Sequence, residues 1–174
     1  MKRILTIVPV LLIFGSTVFA QMQQKIGYVD SQVMIQTLPE AIKAQGELDN
    51  LSKKFSAQAD SMTQVLQQEY SQYQKQQNTM NADKQREAQK SLVEKEQALN
   101  VFKQQKFGQN GDIYKKQEEL FAPIKEKIMK GIQAVAKEEG MTFIFDKSGD
   151  IILLYADTAF DITYKVLDKL KRGK

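Results

Sequence analysis

From Leu48 onward, the apolar residues of a long polar segment recur at Leu48, Leu51, Phe55, Ala59, Met62, Leu66, Tyr70 and Tyr73, with gaps of 3, 4, 4, 3, 4, 4 and 3. That is an eleven-residue repeat. Its period of about 3.67 lies close to the natural α-helix, so the stripe runs nearly straight or drifts slightly right-handed, unlike a heptad coil. The stripe ends in "QQEYSQYQKQQNTMNADKQR", residues 67–86, where Tyr70, Tyr73 and Met80 are the only large apolar side chains. Such a segment is either disordered filler or the far end of a helix anchored elsewhere.

A second helical stretch carries Ala88, Leu92, Leu99 and Phe102, then Leu120, Ile124, Ile128, Ile132 and Val135. Its apolar stripe is sparse at first and dense near its end. Thr37 with Glu40 three residues later reads as a capping box at the start of the first helix, with Pro39 in its first turn. The strongest breaker between the helices is "FGQNGD", residues 107–112. A turn there, however, gives helices of about 70 and 28 residues, a mismatch of roughly 60 Å. A tip near 78–83 leaves a mismatch of only about 17 residues. Asn81 then caps the returning helix and Asp83 suits its positive end. The expectation is a hairpin arm over 38–139, about 60 Å long, with flexible points at Gly108, Gly111 and Pro123.

Three segments read as strands. "KIGYVD" (25–30) alternates, with Ile26 and Tyr28 on one face and Val29 on the other; "TFIFD" (142–146) sets Phe143 and Phe145 together; "IILLY" (151–155) is apolar throughout, as for a strand covered on both faces. Residues 147–150, KSGD, read as a hairpin turn between the last two. A closing helix follows, with Asp161 as its N-cap and Ile162, Val166, Leu167 and Leu170 on one face. The fold class is therefore α+β and mostly helical. Three short strands and one helix fall below the size at which a lone core is stable without disulfides or metal. Several chains are thus expected to pool their strands into a shared β-body.

Residues 1–20 have the form of an export signal: Lys2 and Arg3, an apolar run from Ile4 to Phe14, then Val18 and Ala20 before the cut. Cleavage after Ala20 predicts a periplasmic protein, and no cysteine follows to carry a lipid anchor. With Lys2 and Arg3 gone, 23 basic residues face 21 acidic ones, a formal net charge of +2. That near-neutrality argues against nucleic acid as a partner. The chain has no histidine and no cysteine, so the commonest general base, the thiol nucleophile and the usual zinc ligands are missing. Glu138 with Glu139, and Glu94 with Glu96, stand at spacings that point apart on a helix and read as solvated charges. There is no phosphate-cradling glycine loop. Neither a catalytic residue, a metal site nor a cofactor is expected.

The export signal, "KIGYVDSQVMI" leading into a long polar hairpin, "KEEGMTFIFDKSGDIILLYAD" and a closing "DITYKVLDKLK" together resemble the Skp/OmpH family of periplasmic chaperones. The likeness spans the whole chain after the signal; it is specific at the two ends and weak through the arm. It implies a homotrimer joined through a small β-body, with arms around a cavity that holds unfolded outer-membrane proteins without nucleotide. On that resemblance Ile26, Tyr28, Val29, Phe143, Phe145, Ile152 and Leu154 build the trimeric body. Met62, Leu66, Tyr70, Tyr73, Met80 and Phe102 form the arm's seam or touch the client. Some members have distinctly basic arm tips, whereas residues 70–90 here carry Lys75, Lys84, Arg86 and Lys90 against Asp83 and Glu87, a net of +2; membrane-surface contact at the tips stays open. The other classes that fit a long exported arm are a structural coiled coil and a subunit of an export machine of the cell envelope.

Overall fold

Ile26–Val29 (β1), the first element of the computed structural model, which describes residues 24–173, leads into two helices before the chain doubles back. The export signal lies outside the described residues. Asp30 ends β1 and caps a short helix, α1 (Ser31–Thr37), its carboxylate accepting from the Val33 backbone N–H at 3.0 Å. Leu38 separates α1 from α2 (Pro39–Gln76). The chain reverses over 77–81 and returns as α3 (Ala82–Phe107) and α4 (Asp112–Glu138). It then forms β2 (Phe143–Asp146), a 3-10 turn at Thr158–Phe160, and α5 (Thr163–Arg172). The fold is α+β and mostly helical: a long hairpin of α2 against α3 and α4, rising from a small two-stranded body.

The two strands come from opposite ends of the sequence and run parallel, Ile26 beside Phe143 and Tyr28 beside Phe145. One face of this pair packs on the chain's own core. There Val29 belongs to one buried cluster with Met34, Leu38, Ala41, Ile128, Val135 and Val166. Gly131 lets α5 lie close on α4, since a Cβ there would stand 2.7 Å from Leu170 Cδ2. Asp30 and Thr163 stitch the two ends together, the Asp30 backbone N–H donating to Thr163 Oγ1 at 2.9 Å.

Four expectations change. Residues 151–155 form no strand and no hairpin; the sheet has two strands. After β2 the chain is pinned sideways: Lys147 N–H donates to Val29 O at 2.7 Å, and the Asp146 carboxylate accepts from the backbone N–H groups of Ser31 and Ser148. The far edge of β1 is taken by Asp161 and Ile162, whose N–H donates to Tyr28 O at 3.0 Å. The capping box does not form either, because Thr37 ends α1 and its hydroxyl donates to Val33 O at 2.6 Å, while the Glu40 carboxylate pairs with Lys127. Ile162 holds the N-cap position of α5, and Asp161 serves it from one residue back by accepting from Thr163 N–H at 2.8 Å. Finally, Val29 lies in the chain's own core, 2% exposed, rather than on a face open to other chains. Alternation had put it opposite Tyr28, and the buried side is the one toward α1 and α5.

Candidate functional site

The sheet's second face is open. Ile26, Tyr28, Phe143 and Phe145 share it through the parallel register, and Ile26, Tyr28 and Phe145 floor a cleft of about 660 Å³ walled by Leu153, Tyr155 and Phe160. Phe143, beside Ile26 in the register, is half-exposed outside the cleft, while Ile152 and Leu154 stand out in solvent at 84% and 94% exposure. Of the seven residues expected in the body, Ile26, Tyr28, Phe143 and Phe145 share one face of the sheet, with Tyr28 buried at 6% exposure; Val29 lies in the core, and Ile152 and Leu154 do not line the cleft. Tyr155 and Phe160 do line it. The aromatic that ends "IILLY" was the available signal for Tyr155, whereas Phe160 reaches the cleft only through the 3-10 turn capped by the Asp157 carboxylate.

Charged groups hold the edges of this body in place. Lys165 donates to Glu139 Oε1 at 2.5 Å, and that hydrogen bond holds the Glu139 carboxyl below the usual range, helped by Lys25. Burial alone would push the Asp146 carboxyl up, but hydrogen bonds from Ser31 and Ser148 hold it low. Glu40, bonded by Lys127, is likewise lowered.

The arm is a ladder whose rungs weaken outward. Near the body Ala44 and Leu48 lie buried in one cluster with Phe121 and Ile124. Midway, Phe55 meets the ring edges of Phe102 and Phe107 at 6.3 Å between centroids. Farther out Glu69 pairs with Lys95, and Gln89 Nε2 donates to Tyr73 Oη at 2.6 Å. At the tip Asn81 caps α3 by accepting from Lys84 N–H at 2.9 Å, and Gln85 Nε2 donates to Gln77 O at 2.5 Å. Met62, Leu66, Tyr73, Met80 and Phe102 are half-buried, and Tyr70 is exposed.

Between the Glu40–Lys127 and Tyr73–Gln89 pairs the outgoing chain uses 33 residues (40 to 73) and the returning chain 38 (89 to 127). The surplus sits at residues 108–111, between α3 and α4. There the backbone packs tightly on itself: a Cβ on Gly108 would stand 2.3 Å from Gln104 O, and Asn110 takes φ 62°. Lys106 bridges the break to Asp112. α4 continues as helix through Pro123.

Among the described residues no helix is long and apolar enough to cross a membrane, and no cluster of acidic groups is built to hold a metal. The family model described as outer membrane protein (OmpH-like) matches residues 25–170. Among solved structures, the chain is similar to a candidate outer membrane chaperone (OmpH-like) from Caulobacter crescentus CB15. The TM-score is 0.69 at 14% identity, over 87% of this chain and 86% of that one, a likeness of fold. No curated protein matches the sequence.

Proposed function

The chain belongs to the OmpH-like family of outer membrane proteins, and on that premise we propose that it is a periplasmic holdase chaperone. It works without ATP, as a homotrimer whose arms surround unfolded outer-membrane proteins and keep them from aggregating. The observation that carries this reading is the outward thinning of the arm's core: from residue 60 to residue 98 no side chain is buried. A spacer coiled coil needs a continuous tight seam. An arm that leaves Tyr70 and Val93 half in water, among glutamines, offers instead many small apolar contacts and no strong one. Three such arms raise the local concentration of weak sites, so multiplicity supplies the affinity and release needs no fuel.

The open sheet face supports the trimer. Ile26, Phe143, Phe145, Ile151, Tyr155 and Phe160 are each at least a third exposed in one chain, and a contiguous apolar face of that kind marks an association surface. Residues 151–155, unpaired in one chain, gain a covering when three bodies meet.

The test is to dilute a urea-unfolded outer-membrane β-barrel protein into buffer with and without stoichiometric trimer and follow light scattering. The chaperone suppresses the scattering in the absence of nucleotide. Scattering that rises equally in both samples would falsify the holdase function.

A further inference from the structure

The two flanks of the distal arm differ. On one, the ion pair between Glu69 and Lys95 closes the space between α2 and α3. On the other the helices leave a groove of about 660 Å³, walled by Leu66, Tyr70 and Tyr73 of α2 and by Leu92 and Val93 of α3. Helix geometry accounts for the asymmetry. Both helices are right-handed and run in opposite directions, so the residue following a seam position lies on the same flank in each, about 100° round from the seam. Gln67 follows Leu66, Gln89 follows Ala88 and Val93 follows Leu92, and all three border the groove. Val65 and Val101 precede seam residues and do not. The groove stays hollow because α3 offers only Ala88 and Leu92 to fill it, and because the bond from Gln89 holds the Tyr73 hydroxyl.

The chemistry of the rim selects the occupant. Gln67 and Gln89 present amides that can bond a peptide backbone. Glu96 is the only charged side chain on the rim, and no ion pair engages it among the described residues. Lysine and arginine are absent from the groove's lining, so an anionic amphiphile would meet a carboxylate and no cation. A polypeptide with a basic residue beside an apolar one would find complementary charge. The volume is within the range of pockets that enclose a small ligand, ample for one large side chain.

Resting on the holdase reading, we propose that this groove is a client-binding site that takes a large aliphatic or aromatic side chain of an unfolded chain, preferring one with lysine or arginine next to it. The seam residues Leu66 and Leu92 form its floor, and Tyr70 and Val93 supply the contact.

The test compares Val93→Asp with Val101→Asp. Both valines are on α3 and equally exposed, 51% and 52%, and only Val93 borders the groove. In the aggregation assay, Val93→Asp raises the amount of trimer needed for half-suppression about fivefold, equivalent to about 1 kcal/mol, while Val101→Asp stays within about twofold. Equal losses in the two variants overturn the groove while leaving the holdase reading intact. A wild-type protein that suppresses nothing overturns both. Glu96→Lys should invert the preference, read by fluorescence anisotropy, between labelled Gly-Ser peptides carrying Tyr-Lys and Tyr-Glu. Unchanged preference removes the charge assignment. If Val93→Asp instead dissociates the trimer in sedimentation, or weakens only its binding to phosphatidylglycerol vesicles, the groove is covered by another arm or by lipid and the proposal fails.

Discussion

Met34, Leu38, Ile162 and Val166 in the body are at most 1% exposed, whereas in the arm nothing between Ala59 and Leu99 is buried at all. The body specifies its structure by packing: side chains from both ends of the sequence close one core around Val29. The arm specifies its structure by helix hydrogen bonds, a cap at Asn81 and a few pairs between helices. Most helical stability in proteins comes from burying an amphipathic face, so the distal arm is the part with least to lose. A chaperone arm benefits from that, because the groups left unburied are the ones a client can use.

The largest expected difference is in the response to a buried charge. Val166→Asp places a carboxylate where the valine is 0% exposed, a change on the order of 5 kcal/mol or more, and the body unfolds. Leu66→Asp in the half-buried seam costs about 1 kcal/mol, and far-ultraviolet circular dichroism with urea titration reads both. Equal losses would mean that the arm is packed as well as the body. Next comes Phe145→Asp. Phe145 is 37% exposed in one chain, so the substitution should leave the body folded yet cost about 3 kcal/mol of association, where the charge would be buried between chains. Sedimentation should then show folded monomers. A trimer that persists would mean that the open sheet face is not where chains meet.

How much of this was legible depends on whether a feature is local. The eleven-residue stripe from Leu48 to Tyr73 and the dense stripe from Leu120 to Val135 mark long helices because period is a local property. The return near Asn81 followed from matching helix lengths. The short α1 was missed although its cap, Asp30, is plain in the sequence, because seven residues make too few turns for a period to emerge. Residues 151–155 were misjudged for a different reason. A continuous apolar run says that something covers both faces, but not whether the cover comes from the same chain. The groove was hidden for a third: Tyr70 and Val93 carry the same apolarity as seam residues, and only the placement of both helices shows which flank is closed by Glu69 and Lys95.

Acid should separate the regions more gently. Glu139 and Asp146, both at the body, have carboxyls held below their ordinary values. A carboxylate whose folded value is depressed contributes stability that is fully present above its unfolded value, here 3.8 for an aspartate, and lost as pH falls through the lower folded value. The body should therefore lose urea resistance as pH drops below about 4. Asp146→Asn removes part of that dependence: its urea midpoint starts lower at pH 7 and falls less toward pH 3. A wild-type midpoint that does not fall over this range would remove Asp146 and Glu139 as acid-sensitive ties.

The smallest effect concerns the joint between α3 and α4 within the arm, at residues 108–111. Glycines there suggest looseness, yet Gly108 has an ordinary φ of −67° and is required by close approach to Gln104 O. Around it, Lys106 reaches across to Asp112 and also sits 4.9 Å from the Phe55 ring centroid, tying α2, α3 and α4 at one point. The bond from Lys106 holds the Asp112 carboxyl low, and Asp112 opens α4, where a negative charge suits the helix dipole. Two mechanisms thus hold the joint: a salt-screened pair and a packed aromatic group that salt does not touch. Asp112→Asn weakens only the first, so amide hydrogen exchange across residues 104–112 should quicken at low salt and approach the wild-type rate at about 1 M salt, where screening reaches about 3 Å. Phe55→Ala should quicken it at both. If Asp112→Asn leaves exchange unchanged even at low salt, the aromatic packing alone sets the joint; if wild-type exchange there already matches that of an open loop, the arm pivots freely at Gly108 and Gly111.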